Sequence, residues 1–182
     1  MMLSPQAGFP LARQLRTPSG APLGDVFSFL SGLYFRGKLA YARAFAADEA
    51  GVLVITPHAG LRAAATLVTG DDLRAAARVD ISLTNRTYRQ ALEASATRLA
   101  AAVGPAARVV LLGSIASDKY VTVLSGVFAE RLLFPVDFVG RGDMSRGGLL
   151  LRCVREGRQL DYVPVLGAIR HGARPPRLPR LP

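Results

Sequence analysis

Cysteine, lysine, histidine, carboxylates and long apolar runs are all scarce in this 182-residue chain, and each scarcity excludes something. The single cysteine, Cys153, permits no intramolecular disulfide, which fits a reducing compartment. It sits in the apolar stretch 149–154, where it reads as a small core residue rather than a nucleophile. The two histidines, His58 and His171, lie far apart and give no metal-ligand spacing with that cysteine, so no metal site is expected. Apolar runs such as 109–112 and 149–151 fall well short of the roughly 20 residues that a membrane span needs. The first residues hold Pro5, Pro10 and two arginines, without the charged-then-apolar order of a secretory signal. The expectation is a cytoplasmic protein with no membrane partner.

What is present is a globular composition, half hydrophobic and a fifth charged, of a length that suits one domain. The net charge is +10, carried almost wholly by arginine, since Lys38 and Lys119 are the only lysines. A GC-rich genome accounts for arginine replacing lysine, but not for the excess over acids. Such a balance attracts polyanions: nucleic acid, an anionic surface or an acidic protein.

Residues 1–24 carry four prolines and little periodicity, and read as an irregular arm. Residues 25–169 read as one α/β domain. A helical pattern runs from Asp25, breaks between Gly32 and Gly37, and resumes from Lys38 to about residue 47. Residues 52–55 read as a strand buried on both faces, followed by Thr56-Pro57-His58-Ala59-Gly60. A short helix follows Gly70, and Asn85 caps a longer one to Val103. Strands at 108–112, 131–134 and 161–165 alternate with helices capped by Ser117 and Ser145. This alternation predicts a single Rossmann-like domain with a mainly parallel sheet flanked by helices. Ligands of such sheets sit beyond the carboxyl ends of the strands, which would put 57–60, 113–120 and 140–148 on one rim. Residues 170–182 hold four arginines, four prolines and no acid. They read as an extended tail, either mobile or strapped to the body by Leu178 and Leu181.

Several of these segments are colinear with a known pattern. A Leu33-Tyr34 helix, a strand closing at Ile55-Thr56-Pro57-His58-Ala59-Gly60-Leu61, Tyr88 at a helix start, and Val110-Leu111-Leu112-Gly113 ahead of Tyr120-Val121 follow in order. Over roughly residues 30–135 the chain resembles an uncharacterised bacterial Rossmann-like family distantly akin to the peroxide-stress protein YaaA. Where that family has Ser-Ala-Lys-Tyr, this chain has Thr56-Pro57-His58-Ala59, so the family's lysine and tyrosine are missing. Its opening strand has no counterpart in residues 1–24. The resemblance implies a nucleotide- or nucleic-acid-related setting.

Two loops carry the candidate binding chemistry. In the first, Gly113, Ser114 and Lys119 would hold an anion at a helix start, while Ser117 caps and Asp118 complements the helix dipole. A structural reading leaves Lys119 facing solvent. Ser114 with Lys119 also suggests a serine nucleophile and a lysine base, but no complete hydrolase signature accompanies them. In the second, Gly140, Arg141, Gly142, Asp143, Ser145, Arg146 and Gly147 combine backbone access with two guanidinium groups suited to phosphate. The loop is neither a Walker loop nor the dinucleotide fingerprint. Its structural reading is a turn held by an Asp143–arginine pair, with Gly147 and Gly148 serving close helix packing.

His58 and Asp143 are the candidate proton carriers for catalysis. Arg36, Lys38, Tyr41 and Arg43 mix basic and aromatic groups, as base-stacking surfaces do, yet also suit a half-buried helix. The leading expectation is a protein that binds or acts on a phosphate-bearing small molecule, nucleotide or nucleic acid, with a glycosidase or transferase-type reaction if it is an enzyme. The alternative is a non-catalytic basic module that binds nucleic acid or an acidic protein.

Overall fold

The computed structural model describes residues 2–176 and 178. Helices and short strands alternate, giving a mixed α/β architecture. Among the described residues no helix is long and apolar enough to cross a membrane.

The first 24 residues are more ordered than their prolines suggest. Pro10 supplies the first turn of α1 (Pro10–Leu15), a position where its missing N–H costs nothing. β1 (Ala21–Pro22) then leads into α2 (Leu23–Phe45). Met2, Ala12, Leu15 and Ala21 are buried in a smaller core with Leu23, Val26, Leu39, Val52 and Val54. The expected irregular arm is therefore a folded part of the body, tied down by burial of its few apolar residues. α2 breaks once, at Gly32, whose φ of 70° and ψ of −156° are non-helical. Gly37, the other expected break, stays helical.

β2 (Leu53–Thr56) does not enter a parallel sheet. It forms an antiparallel hairpin with β3 (Gly60–Ala63), and the Thr56 hydroxyl donates to the Gly60 carbonyl at 2.8 Å to close the turn. β4 (Leu67–Val68) pairs antiparallel with β1. α3 (Gly70–Ala77) starts on a capping box in which Thr69 and Asp72 bond reciprocally. α4 (Arg86–Val103) starts on Asn85 and buries Tyr88, Leu92, Ser95 and Ala96 on one face.

The larger core surrounds a three-stranded sheet. β5 (Val109–Val110) pairs parallel with β6 (Leu132–Pro135), and β6 pairs antiparallel with β7 (Tyr162–Pro164). The central strand β6 is buried along its whole length. α5 (Asp118–Phe128) crosses from β5 to β6 and buries Val121, Leu124 and Phe128. α6 (Asp143–Glu156) follows β6 and buries Leu149, Leu150 and Cys153. Among the described residues only the β5–β6 ladder is parallel, so the expected mainly parallel sheet gives way to mixed pairing. The reason lies in the connections: a three-residue turn after β2 allows a hairpin, whereas a parallel crossover needs a dozen or more residues, which α5 supplies.

Candidate functional site

Because β5 and β6 run parallel, the loops leaving them emerge at the same end of the sheet. The first of these, at 112–114, is clamped by two tyrosines. The Tyr34 hydroxyl donates from α2 to the Leu112 carbonyl at 2.9 Å, and the Tyr120 hydroxyl donates from α5 to the Ser114 carbonyl at 2.7 Å. A side chain at Gly113 would lie 2.7 Å from the Tyr120 oxygen, so glycine lets the phenol close over the loop. Ser117 accepts the Lys119 N–H and caps α5, while Lys119 itself is exposed. Its side chain faces solvent, as the structural reading has it.

The second loop leads into α6. Gly140 holds a φ of +73°, which L side chains rarely adopt. Arg141 donates through Nε to the Asp137 carbonyl and through Nη1 to Ser145 Oγ at 3.4 Å. Gly142 occupies the cap position of α6 and offers no side-chain oxygen. The first-turn N–H groups of α6 thus lack a side-chain cap and form an electropositive end. Ser145, expected to be that cap, lies inside the first turn instead.

Arg146 and Gly147 do not serve as open ligand groups. Arg146 is 8 % exposed and donates through Nε and Nη2 to the Phe138 carbonyl at 3.2 and 3.0 Å. Its Nη1 pairs with Asp143 at 3.4 Å, where the carboxylate is largely exposed. Gly147 packs backbone to backbone against α2: a Cβ there would lie 2.9 Å from the Tyr34 Cα, and one at Gly37 would lie 2.7 Å from the Gly147 carbonyl oxygen. The glycine serves close helix packing because the helices cross too closely for any side chain.

That crossing brings a residue to the site that the sequence did not single out for it. Lys38, on α2, is half-buried, with its ammonium 4.4 Å from the Tyr34 ring centroid and 5.3 Å from that of Phe35. No carboxylate pairs with it directly among the described residues. Burial pushes its pKa below the ordinary lysine value, Asp143 opposes that shift and Arg146 reinforces it. Burial likewise raises the Tyr34 and Tyr120 hydroxyls, with Arg146 opposing. Tyr34, Lys38, Tyr120, Asp143 and Arg146 therefore share one electrostatic neighbourhood beside the 112–114 loop and the start of α6. Sequence signals for it were present but dispersed: Tyr34, Lys38 and Tyr120 lie in the segments that carry the family resemblance, and Lys38 is one of only two lysines.

His58 sits elsewhere. It lies in the β2–β3 turn and lines a small cavity of about 40 Å³ with Thr56, Arg62, Asp72 and apolar residues of α2 and α3. Its Nδ1 is buried without a hydrogen-bond partner, and it acts electrostatically on Asp72. Its hairpin belongs to a separate sheet from β5 and β6, so residues 57–60 do not follow a strand of the β5–β6 sheet as expected.

Compared with protein-family models, curated proteins and solved structures, the chain matches none.

Proposed function

We propose that the start of α6, with Arg141 and Lys38, binds a phosphate-bearing ligand, a nucleotide or nucleic acid. The observation that carries this reading is the charge imbalance at the helix crossing. Lys38 and Arg146 share one carboxylate, Asp143, next to a helix end with no side-chain cap, and Arg141 stands in the loop that leads into that helix. A half-buried lysine held against aromatic rings loses hydration, and a ligand anion is the partner that would restore its stabilisation. The reading keeps the Rossmann-like logic for the parallel β5–β6 pair, where ligands lie beyond the carboxyl ends. A relationship to the YaaA-like family belongs to the same proposal: Tyr34, Gly113 and Tyr120, which carry the resemblance, meet at this site. For a glycosidase or transferase-type reaction, Asp143 is the carboxylate within reach. A non-catalytic module that holds a polyanion is the second reading, favoured by the exposure of Lys119 beside the rim and of Arg174 on the tail.

The test is calorimetric titration with inorganic phosphate, AMP and a short single-stranded oligonucleotide at fixed ionic strength. Arg141→Ala and Lys38→Met should each weaken binding by about tenfold, the size of one lost charge-assisted hydrogen bond. Affinities that match the wild type in both variants would remove the proposal. Arg146→Ala is not a usable probe, since its guanidinium is built into the core.

A further inference from the structure

The described part of the tail, residues 170–176 and 178, lies against this site. Arg170 Nη1 pairs with Asp118 at the start of α5, at 2.5 Å. Residues 172 and 173 run against the second loop: a Cβ at Gly172 would lie 2.7 Å from Val139 Cγ1, and one at Gly140 would lie 2.1 Å from the Ala173 carbonyl oxygen. Farther on, Arg141 Nη1 donates to the Pro176 carbonyl at 3.5 Å. Leu178 packs against the larger core, its Cδ1 at 3.9 Å from the Cβ position of Gly148 on α6. Both strand-end loops are thus bridged by one segment. The Arg141 guanidinium that would hold a phosphate oxygen already meets a carbonyl oxygen of this chain.

We infer that residues 170–176, with Leu178 as anchor, are a built-in competitor: a strap that occupies Arg141 and closes the anion site until a phosphate ligand displaces it. The inference rests on the proposed anion site. The geometry suits a reversible closure. The polar fastenings are a partly exposed ion pair, which is weak in water, and a long hydrogen bond. Among the described residues of the strap, Leu178 is the apolar anchor. Prolines at 175 and 176 restrict the unbound segment, so docking it costs less chain entropy than docking a flexible one. Glycine at 140 is what the closure requires, because any side chain there would strike the strap backbone.

The experiment compares the full chain with a full-length Arg170→Ala/Leu178→Ser variant, which loosens both ends of the strap and leaves Arg141, Lys38 and α6 intact. Binding of inorganic phosphate is measured by calorimetry against chloride at matched ionic strength. If the open form is about a tenth of the wild-type population, the variant binds about tenfold more tightly. Equal affinity in the two chains overturns the strap and leaves the anion site standing. Weaker binding in the variant also overturns it, because the strap would then be part of the site. No binding in either chain overturns the anion site and the strap together. A second measurement on the unaltered chain guards against misfolding of the variant. Tryptic cleavage after Arg170 should quicken on saturation with phosphate, and an unchanged cleavage rate in a saturated sample overturns the strap.

Discussion

Tyr41 and Tyr88 are both wholly buried, yet their hydroxyls have opposite fates. The Tyr41 oxygen accepts the Leu160 N–H at 2.8 Å and shares a 2.6 Å bond with the Tyr162 hydroxyl. The Tyr88 hydroxyl has no partner, and burial holds its pKa up at about 12. The same substitution should therefore act with opposite sign. Tyr41→Phe orphans a buried N–H and should cost about 2 kcal/mol, whereas Tyr88→Phe removes an unsatisfied group and should gain up to about 1 kcal/mol. Chemical denaturation of the two variants decides it, and a loss at Tyr88 comparable to that at Tyr41 would mean that its hydroxyl is bonded.

Lys38 makes a second argument at this scale. Its folded pKa lies below the ordinary value because burial penalises the ammonium, so the unfolded chain binds more protons in the interval between the two values. Stability should therefore rise with pH through that interval, the reverse of a lysine held by an ion pair. Lys38→Met should raise the melting temperature while weakening phosphate binding, the pattern of a residue kept for function at a cost in stability. Phosphate affinity should also fall at a lower pH than the ordinary lysine value implies. A Lys38→Met protein with a lower melting temperature and unchanged affinity would make the lysine structural.

Among elements, the α2–α6 crossing is the contact most exposed to a single change. Gly37 and Gly147 let the two backbones touch, and this contact sets Lys38 beside the start of α6. In a free helix, glycine to alanine gains about 1 kcal/mol. Here Gly37→Ala would drive a methyl into the Gly147 carbonyl and should cost about 1 to 3 kcal/mol, with anion binding falling alongside. A stabilised Gly37→Ala protein would show that the crossing is looser than the structure has it.

The elements that could be read from the sequence are those whose determinants are local. Asn85 and Ser117 cap helices because a side-chain oxygen meets an N–H two or three residues on, and burial recurs at helical spacing behind each. Strand pairing is different. Residues 53–56 have the apolar character of a parallel core strand, but their partner is chosen by the tight turn that follows them. The site divides in the same way. The two loops are visible as glycine-rich junctions, whereas the burial of Arg146, the packing role of Gly147 and the arrival of Lys38 all follow from one helix crossing. No spacing within a single segment encodes that crossing.

At the scale of the whole molecule, two cores share one helix. The smaller is built from the N-terminal segment with β2 and β4, the larger from α4, α5, α6 and the three-stranded sheet. α2 belongs to both, since Leu39 is buried in the smaller and Tyr41, two residues on, in the larger. Residues two apart on a helix point to different sides, so the two cores lie on opposite faces of the same element. Loss of either core would leave α2 with an exposed apolar face, and helical stability in proteins comes mainly from packing such faces rather than from propensity. The two cores should therefore melt as one unit. Leu15→Ala in the smaller core and Leu150→Ala in the larger, both buried, should each cost about 2 to 5 kcal/mol and shift one common transition. Calorimetry should give matching calorimetric and van't Hoff enthalpies in both variants. A Leu15→Ala protein that melts in two steps, with amides of α5 and α6 still protected after the first, would show that the N-terminal core is an independent layer. The anion site would then have to be assigned to the larger core with the second half of α2 alone.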